Sequence, residues 1–116
     1  PLPTGDDLLP DPNDARALIG ARTRAIVLVT PNNPAGVEYP PALIEAFLEL
    51  AREHGRALIL DETYRAFHSA PRATHNLFAR DGWDETLIHL YSFSKAFRLT
   101  GHRVGALIGA ELAAEQ

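Results

Sequence analysis

The 116-residue sequence contains neither cysteine nor methionine. Without cysteine there is no disulfide framework and no thiolate zinc site. The lack of methionine extends to position 1, which is Pro1, so the expectation is an internal piece of a longer reading frame. No apolar run approaches the ~20 residues that a membrane span needs. No signal-peptide pattern opens the chain, and a cytoplasmic location is the expectation. A net charge of −4 without a basic stripe argues against a nucleic-acid surface. Histidines stand at 54, 68, 75, 89 and 102, none at a tight ligand spacing, and no metal is expected. The scarcest charged residue is lysine. Lys95 is the only one, and arginine supplies every other fixed positive side chain. An ε-amine offers what a guanidinium cannot: it can lose its proton and attack a carbonyl to form a Schiff base.

What is present reads as one α/β unit. The length suits one domain at most, and 46% hydrophobic residues suffice for a core. Residues 1–12, rich in Pro, Gly and Asp, predict a loop. Asp11-Pro12-Asn13-Asp14 predicts the start of a short helix to about Ile19, stopped by Gly20. The continuous apolar run 25–29 predicts a strand buried on both faces. Residues 30–36, with two prolines and a glycine, must be an irregular loop. Leu43, Phe47, Leu50 and Ala51 recur at helical spacing within 40–54, and Gly55 ends that helix. Residues 57–60 predict a second buried strand ending at Asp61. Residues 65–85 are polar and irregular, 86–91 a third strand ending at Ser92, and 104–109 a fourth. A further helix is expected to start at Glu111. This alternation implies a mainly parallel sheet. The dozen residues between the third and fourth strands could carry a crossover or a reversal.

Three segments place polar residues just past the carboxyl end of a buried strand: Asn33, Asp61, and Ser92 with Lys95. That edge is where open α/β sheets bind ligands. Each segment alone is weak, since an Asn-Pro turn is usually only a turn and an aspartate after a strand is often a cap. Their joint occurrence, in this order, resembles the class I/II aminotransferases, which are fold-type I pyridoxal 5'-phosphate (PLP) enzymes. The resemblance runs from about Arg24 to Gly109. Ser92-Phe93-Ser94-Lys95, with Arg103 eight residues after the lysine, is its most specific part. Asn33-Pro34-Ala35-Gly36 resembles the family's Asn-Pro-Thr-Gly turn, with alanine for threonine, and Asp61-x-x-Tyr64 resembles its Asp-x-x-Tyr.

The resemblance implies a fold, a cofactor and a set of roles. The fold is part of the PLP-dependent transferase large domain, a three-layer α/β/α arrangement whose mainly parallel mixed sheet has its last strand antiparallel. Residues 1–116 would be a partial large domain, without its N-terminal part and without the small domain. Lys95 would carry PLP as a Schiff base and then shuttle the substrate's proton. Asp61 would face the pyridine nitrogen and keep it protonated, since an opposite charge favours the charged form. Tyr64 and Asn33 would bond the ring's phenolic oxygen, with Asn33 also near the substrate carboxylate. Arg103, Ser92 and Ser94 would bind the phosphate, the guanidinium bidentately. Glu62 is read as a structural hydrogen-bonding or ion-pairing group and Trp83 as a cover for the core edge. Tyr91 and Phe93 are read as packing residues.

The implied activity is transfer of an amino group from an amino acid to a 2-oxo acid in two half-reactions, in a homodimer. Family parts with no counterpart here are a glycine-rich phosphate turn, an aromatic that stacks on the ring, and an arginine for the substrate carboxylate. The same constellation serves PLP-dependent C–S β-lyases. Two readings from other classes also stand: an aminotransferase-like effector domain of a transcriptional regulator, and an inactive remnant. The paired asparagines of Pro31-Asn32-Asn33-Pro34 speak against the regulator. Residues 1–116 in isolation would leave two strand edges unpaired, which invites aggregation. They are therefore expected to be poorly soluble or molten, and a sharp cooperative melt with well-dispersed NMR signals would contradict this.

Overall fold

The computed structural model describes residues 2–69 and 74–110. Asp11 opens helix α1 (Pro12–Leu18) by accepting the Asn13 N–H at 2.7 Å. Pro12 follows it with a preset φ and no N–H to leave unpaired. The helix closes on Ile19, whose extended backbone ends it one residue before the expected Gly20 stop. The other main elements are β1 (Ala25–Val29), α2 (Pro41–Glu53), β2 (Ala57–Asp61), β3 (Leu87–Ser92), α3 (Phe93–Ala96) and β4 (Gly105–Ile108). Short 3₁₀ turns stand at Arg65–Phe67, Leu77–Ala79 and Trp83–Glu85 among the described residues before β3. The helix expected from Glu111 lies outside the described residues.

The strands lie in the order β1-β2-β3-β4. The first three are parallel, and β4 returns antiparallel beside β3. The open question between crossover and reversal is thus answered as reversal. Side chains alternate along each strand, so Ile26 and Leu28, Leu58 and Leu60, and Leu87 share one face and are buried. Helix α2 covers that face. Its buried stripe is Ile44, Phe47, Leu48 and Ala51, at the i, i+3, i+4, i+7 spacing. The centre of the stripe is Ile44 and Leu48, where the sequence pattern emphasised Leu43. Gly55, at φ +57°, turns the chain out of α2 into β2, a conformation that costs a side chain but not glycine.

Strand β1 is not buried on both faces as its apolar run suggested. Val27 is 55% exposed, because α1 and α2 both pack on the other side and no helix covers its face among the described residues. The described residues therefore make the sheet and one helical layer.

This asymmetry sets a contrast in stability. Phe47→Ala removes a fully buried ring and is expected to cost about 3–5 kcal/mol. Val27→Ala, on the open face, is expected to cost about 0.5 kcal/mol or less. Urea unfolding of the two variants measures the difference.

Candidate cofactor site

The register brings three strand ends to one edge. Val29 pairs with Asp61, and Asp61 pairs with Leu90, two residues short of Ser92. The antiparallel return sets Gly105 opposite Ser92, so Arg103 arrives at this edge as well. The approach is close: a Cβ on Gly105 would lie 2.8 Å from the Tyr91 carbonyl oxygen, a distance only glycine avoids.

Past β1 the chain makes a turn built on Asn32. Its carbonyl accepts the Gly36 N–H at 2.7 Å and its Oδ1 accepts the Ala35 N–H at 3.3 Å. Gly36 sits at φ +72°. The turn lifts Asn33 into the open, where its Nδ2 donates to the Tyr64 hydroxyl at 3.1 Å. Tyr64 in turn lies beneath Lys95, whose Nζ is 5.7 Å from the ring centroid. Asn33, Tyr64 and Lys95 thus come together from three separate strand ends. Asp61 holds its own turn by accepting the Thr63 N–H on Oδ1 at 2.8 Å. No hydrogen bond occupies its Oδ2 among the described residues.

Lys95 stands on α3, a single helical turn that Ser92 caps by accepting the Ser94 N–H at 3.2 Å. Ser94 is buried and Lys95 exposed. The loop to β4 holds two non-glycine residues in the left-handed region, Arg98 at φ +57° and Arg103 at φ +52°. Such backbone costs roughly 1 kcal/mol or more per residue and clusters at ligand clamps. The Arg103 guanidinium donates to the Thr100 carbonyl at 3.2 Å. No hydrogen bond joins it to Ser92, Ser94 or Lys95 among the described residues, so the backbone gathers these groups while their side chains stay apart. Tyr91 and Phe93 pack on each other at 5.3 Å, and Trp83 packs on Phe78 at 5.0 Å against the core edge.

Two polar clusters are not visible in the sequence beyond Glu62 itself, whose reading as a structural hydrogen-bonding or ion-pairing group holds. In the first, Glu38 accepts the Ser69 N–H at 2.5 Å and the Ser69 hydroxyl at 2.7 Å, with His68 Nδ1 3.0 Å from its Oε2. It joins the Asn33 loop to the loop after Tyr64. The second centres on Glu62, which is fully buried. His89 Nε2 lies 2.8 Å and His75 Nε2 3.3 Å from its Oε2, and the Thr74 hydroxyl donates to Oε1. Arg65 stands 3.5 Å away on the exposed side. Histidines 75 and 89 show no ligand spacing because the fold, not the chain, makes them neighbours.

Glu62, His75 and His89 have the composition of a metal site, yet their hydrogen bonds oppose one. His75 Nδ1 accepts the Leu77 N–H at 3.2 Å, so the ring proton of a neutral His75 sits on Nε2, facing the carboxylate. A ligating histidine has the reverse arrangement, donating from its remote nitrogen. His89 Nδ1 is buried without a hydrogen-bond partner among the described residues. A bare acceptor is tolerated better than a bare N–H, which favours the proton on Nε2 there too.

The sequence model of the family described as "Aminotransferase class I and II" matches residues 3–116. The chain is 40% identical over 113 residues to the bifunctional aspartate aminotransferase and glutamate/aspartate-prephenate aminotransferase of Petunia hybrida, covering 93% of this chain and 23% of that protein. It is 38% identical over 104 residues to the aspartate/prephenate aminotransferase of Thermus thermophilus, covering 90% and 26%. Among solved structures, the aromatic aminotransferase of Pyrococcus horikoshii OT3 superposes with a TM-score of 0.83 at 27% identity, covering 93% of this chain and 29% of that one. The chain spans about a quarter of the length of the curated relatives it matches.

The buried carboxylate carries a pH dependence. Burial pushes the Glu62 pKa up, but the contacts from His75, His89 and Thr74 outweigh it and hold the group well below the usual carboxylate range. A carboxylate depressed on folding contributes stability that is fully present above its unfolded pKa, near ~4.3. That stability is lost as pH falls from there toward the folded value. Thermal melts should therefore drop steeply below about pH 4–5. In Glu62→Gln the drop should be shallower, and stability at neutral pH lower by about 2–3 kcal/mol.

Proposed function

The chain belongs to the class I and II aminotransferase family, and from that premise we propose that it is the lysine-bearing part of a PLP-dependent aminotransferase large domain. The whole protein moves an amino group from an amino acid to a 2-oxo acid and works as a homodimer. The observation that carries the reading is the convergence of an amine, a phenol and an amide at one sheet edge. Lys95 Nζ lies 5.7 Å from the Tyr64 ring, and Asn33 donates to the Tyr64 hydroxyl at 3.1 Å.

The donor set suits PLP chemically. Lys95 is a primary amine for its carbonyl carbon. Asp61 brings a carboxylate oxygen that no hydrogen bond holds among the described residues, matched to a protonated ring nitrogen. Tyr64 and Asn33 bring donors for its phenolic oxygen. Arg103, Ser92 and Ser94 bring a cation and hydroxyls for its phosphate. When bound, the cofactor supplies an electron-withdrawing ring that takes up the electron pair left at the substrate α-carbon.

The remaining work belongs to the side chains. Lys95 Nζ, once free, takes the proton from the substrate α-carbon and returns one during the same half-reaction. Its footing on a capped turn keeps the amine's travel short. Asp61 holds a proton on the ring nitrogen by its charge, and its Thr63 contact fixes which oxygen is presented. Asn33, by donating to the Tyr64 oxygen, leaves the phenol's own proton free to be given elsewhere. Asn33, exposed on its turn, is also our candidate for the substrate carboxylate.

Borohydride reduction in the presence of PLP, followed by peptide mass mapping, tests this reading. Lys95 is the only ε-amine in the chain, so the expected label falls on its peptide and disappears in Lys95→Ala. Failure to label Lys95 in the unsubstituted protein would sink the proposal.

A further inference from the structure

The buried Glu62 cluster lies on the face of β2 opposite Asp61 and beside its backbone. His89 pairs with Leu60 across β2 and β3, so on one face it stands next to Leu60 and reaches Glu62 two residues on. The Glu62 N–H also donates to the Leu90 carbonyl at 2.9 Å, extending the ladder past the end of β2. The Arg65 N–H donates to the Glu62 carbonyl at 2.9 Å, which starts the turn that carries Tyr64. Glu62 is therefore fixed by its backbone on both sides and by its side chain from three directions. Asp61 and Tyr64 are the residues directly before it and two after it.

A buried carboxylate is an expensive way to fill space. Nothing about packing at this spot demands a charge, since Leu60 and Leu87 beside it are apolar and equally buried. What the charge gives is direction: the Thr74 hydroxyl and His89 Nε2 hydrogen-bond one oxygen each, with His75 Nε2 alongside at 3.3 Å, and this geometry tolerates little rotation of the residue that bears the oxygens. An apolar side chain would hold depth in the core without holding orientation.

We propose that Glu62, clasped by His89 and His75, is a positioning residue that sets the orientation of Asp61 and Tyr64 for the cofactor; this rests on the PLP reading of the site. The Thr63 N–H, which donates to Asp61, is a reporter that needs no cofactor. Amide hydrogen exchange on the protein without PLP should show Thr63 exchanging about tenfold faster or more in Glu62→Gln and in His89→Ala, as expected for loss of a hydrogen bond to a charged group. The core amides of Leu58 and Leu60 report the fall in global stability, so the control is Phe47→Leu, a fully buried position outside the cluster, which should speed those core amides and leave Thr63 exchange unchanged. His89→Gln, whose amide can donate from nearly the same place as Nε2, should restore slow exchange at Thr63. The dissociation constant for PLP should rise about tenfold in Glu62→Gln and His89→Ala and return in His89→Gln.

Thr63 exchange and PLP affinity unchanged in both disrupting variants would overturn the proposal. So would an equal acceleration of Thr63 in Phe47→Leu, or a failure of His89→Gln to rescue, since either marks a merely structural role. If Glu62→Gln does not fold, the His89 pair decides alone. If the unsubstituted protein does not take PLP at Lys95, the cofactor reading fails, whereas the Thr63 comparison still decides whether Glu62 orients Asp61.

Discussion

Strand β2 is held on both sides, Leu60 pairing with Leu28 in β1 and with His89 in β3. That double pairing is the constraint on which the site depends. A register slip of one residue would turn Asp61 to the helix-covered face and drive Leu60 into the open. The apolar set on the covered face, Ile26, Leu28, Leu58, Leu60 and Leu87, forbids such a slip because every member is buried against α2. The chemistry of the edge is thus fixed by oil several residues below it. Asn33, Tyr64 and Lys95 meet because three strands stop at one level.

Above that apolar floor the hold becomes polar. Thr30, Glu62, Thr74, His75 and His89 are buried, and most have specified partners. The Thr30 hydroxyl accepts the Tyr39 N–H at 2.9 Å and closes the loop that carries Asn33. Glu62 anchors the next segment, and Glu38 ties the two loops together through Ser69. Hydrophobic burial gives most of the stabilisation, yet it is non-directional. Hydrogen bonds add only about 1 kcal/mol each in net terms, but they decide angles. The division of labour follows: the core fixes where the edge lies, and the polar contacts fix how the side chains on it are turned.

The strands, α2 and the edge residues were legible in the sequence because their signals are local. Period, β-branching, Gly55 and the polar residues after each apolar run all sit within a few positions. The resemblance supplied the antiparallel return of the last strand, which local pattern left open. What stayed hidden was long-range. His75 and His89 are fourteen positions apart, and Glu62 lies thirteen before the first, spacings that match no ligand motif. Asn32 was read as half of a paired motif, whereas its hydrogen bonds make it the builder of the turn. Its Asx-turn chemistry could have said so. Val27 was assigned to a doubly buried strand because apolar composition reports what a face can bury, not what covers it.

The reversal after β3 is the step that lets Arg103 count at all. A parallel crossover would have started β4 at the opposite edge, about 20 Å from Ser92 by the rise of a six-residue strand. The antiparallel return instead pairs Gly105 with Ser92 and brings Arg103 in beside the cap of α3. Turning the chain within so few residues requires tight backbone. Arg98 and Arg103 adopt left-handed conformations, and Gly105 passes so close to Tyr91 that a side chain is barred. Three unfavourable local choices lie within eight residues. A surface loop under no demand would relax them with glycine or greater length. Their retention at arginines is explained if the guanidinium of Arg103 must arrive at this edge, whatever its backbone costs.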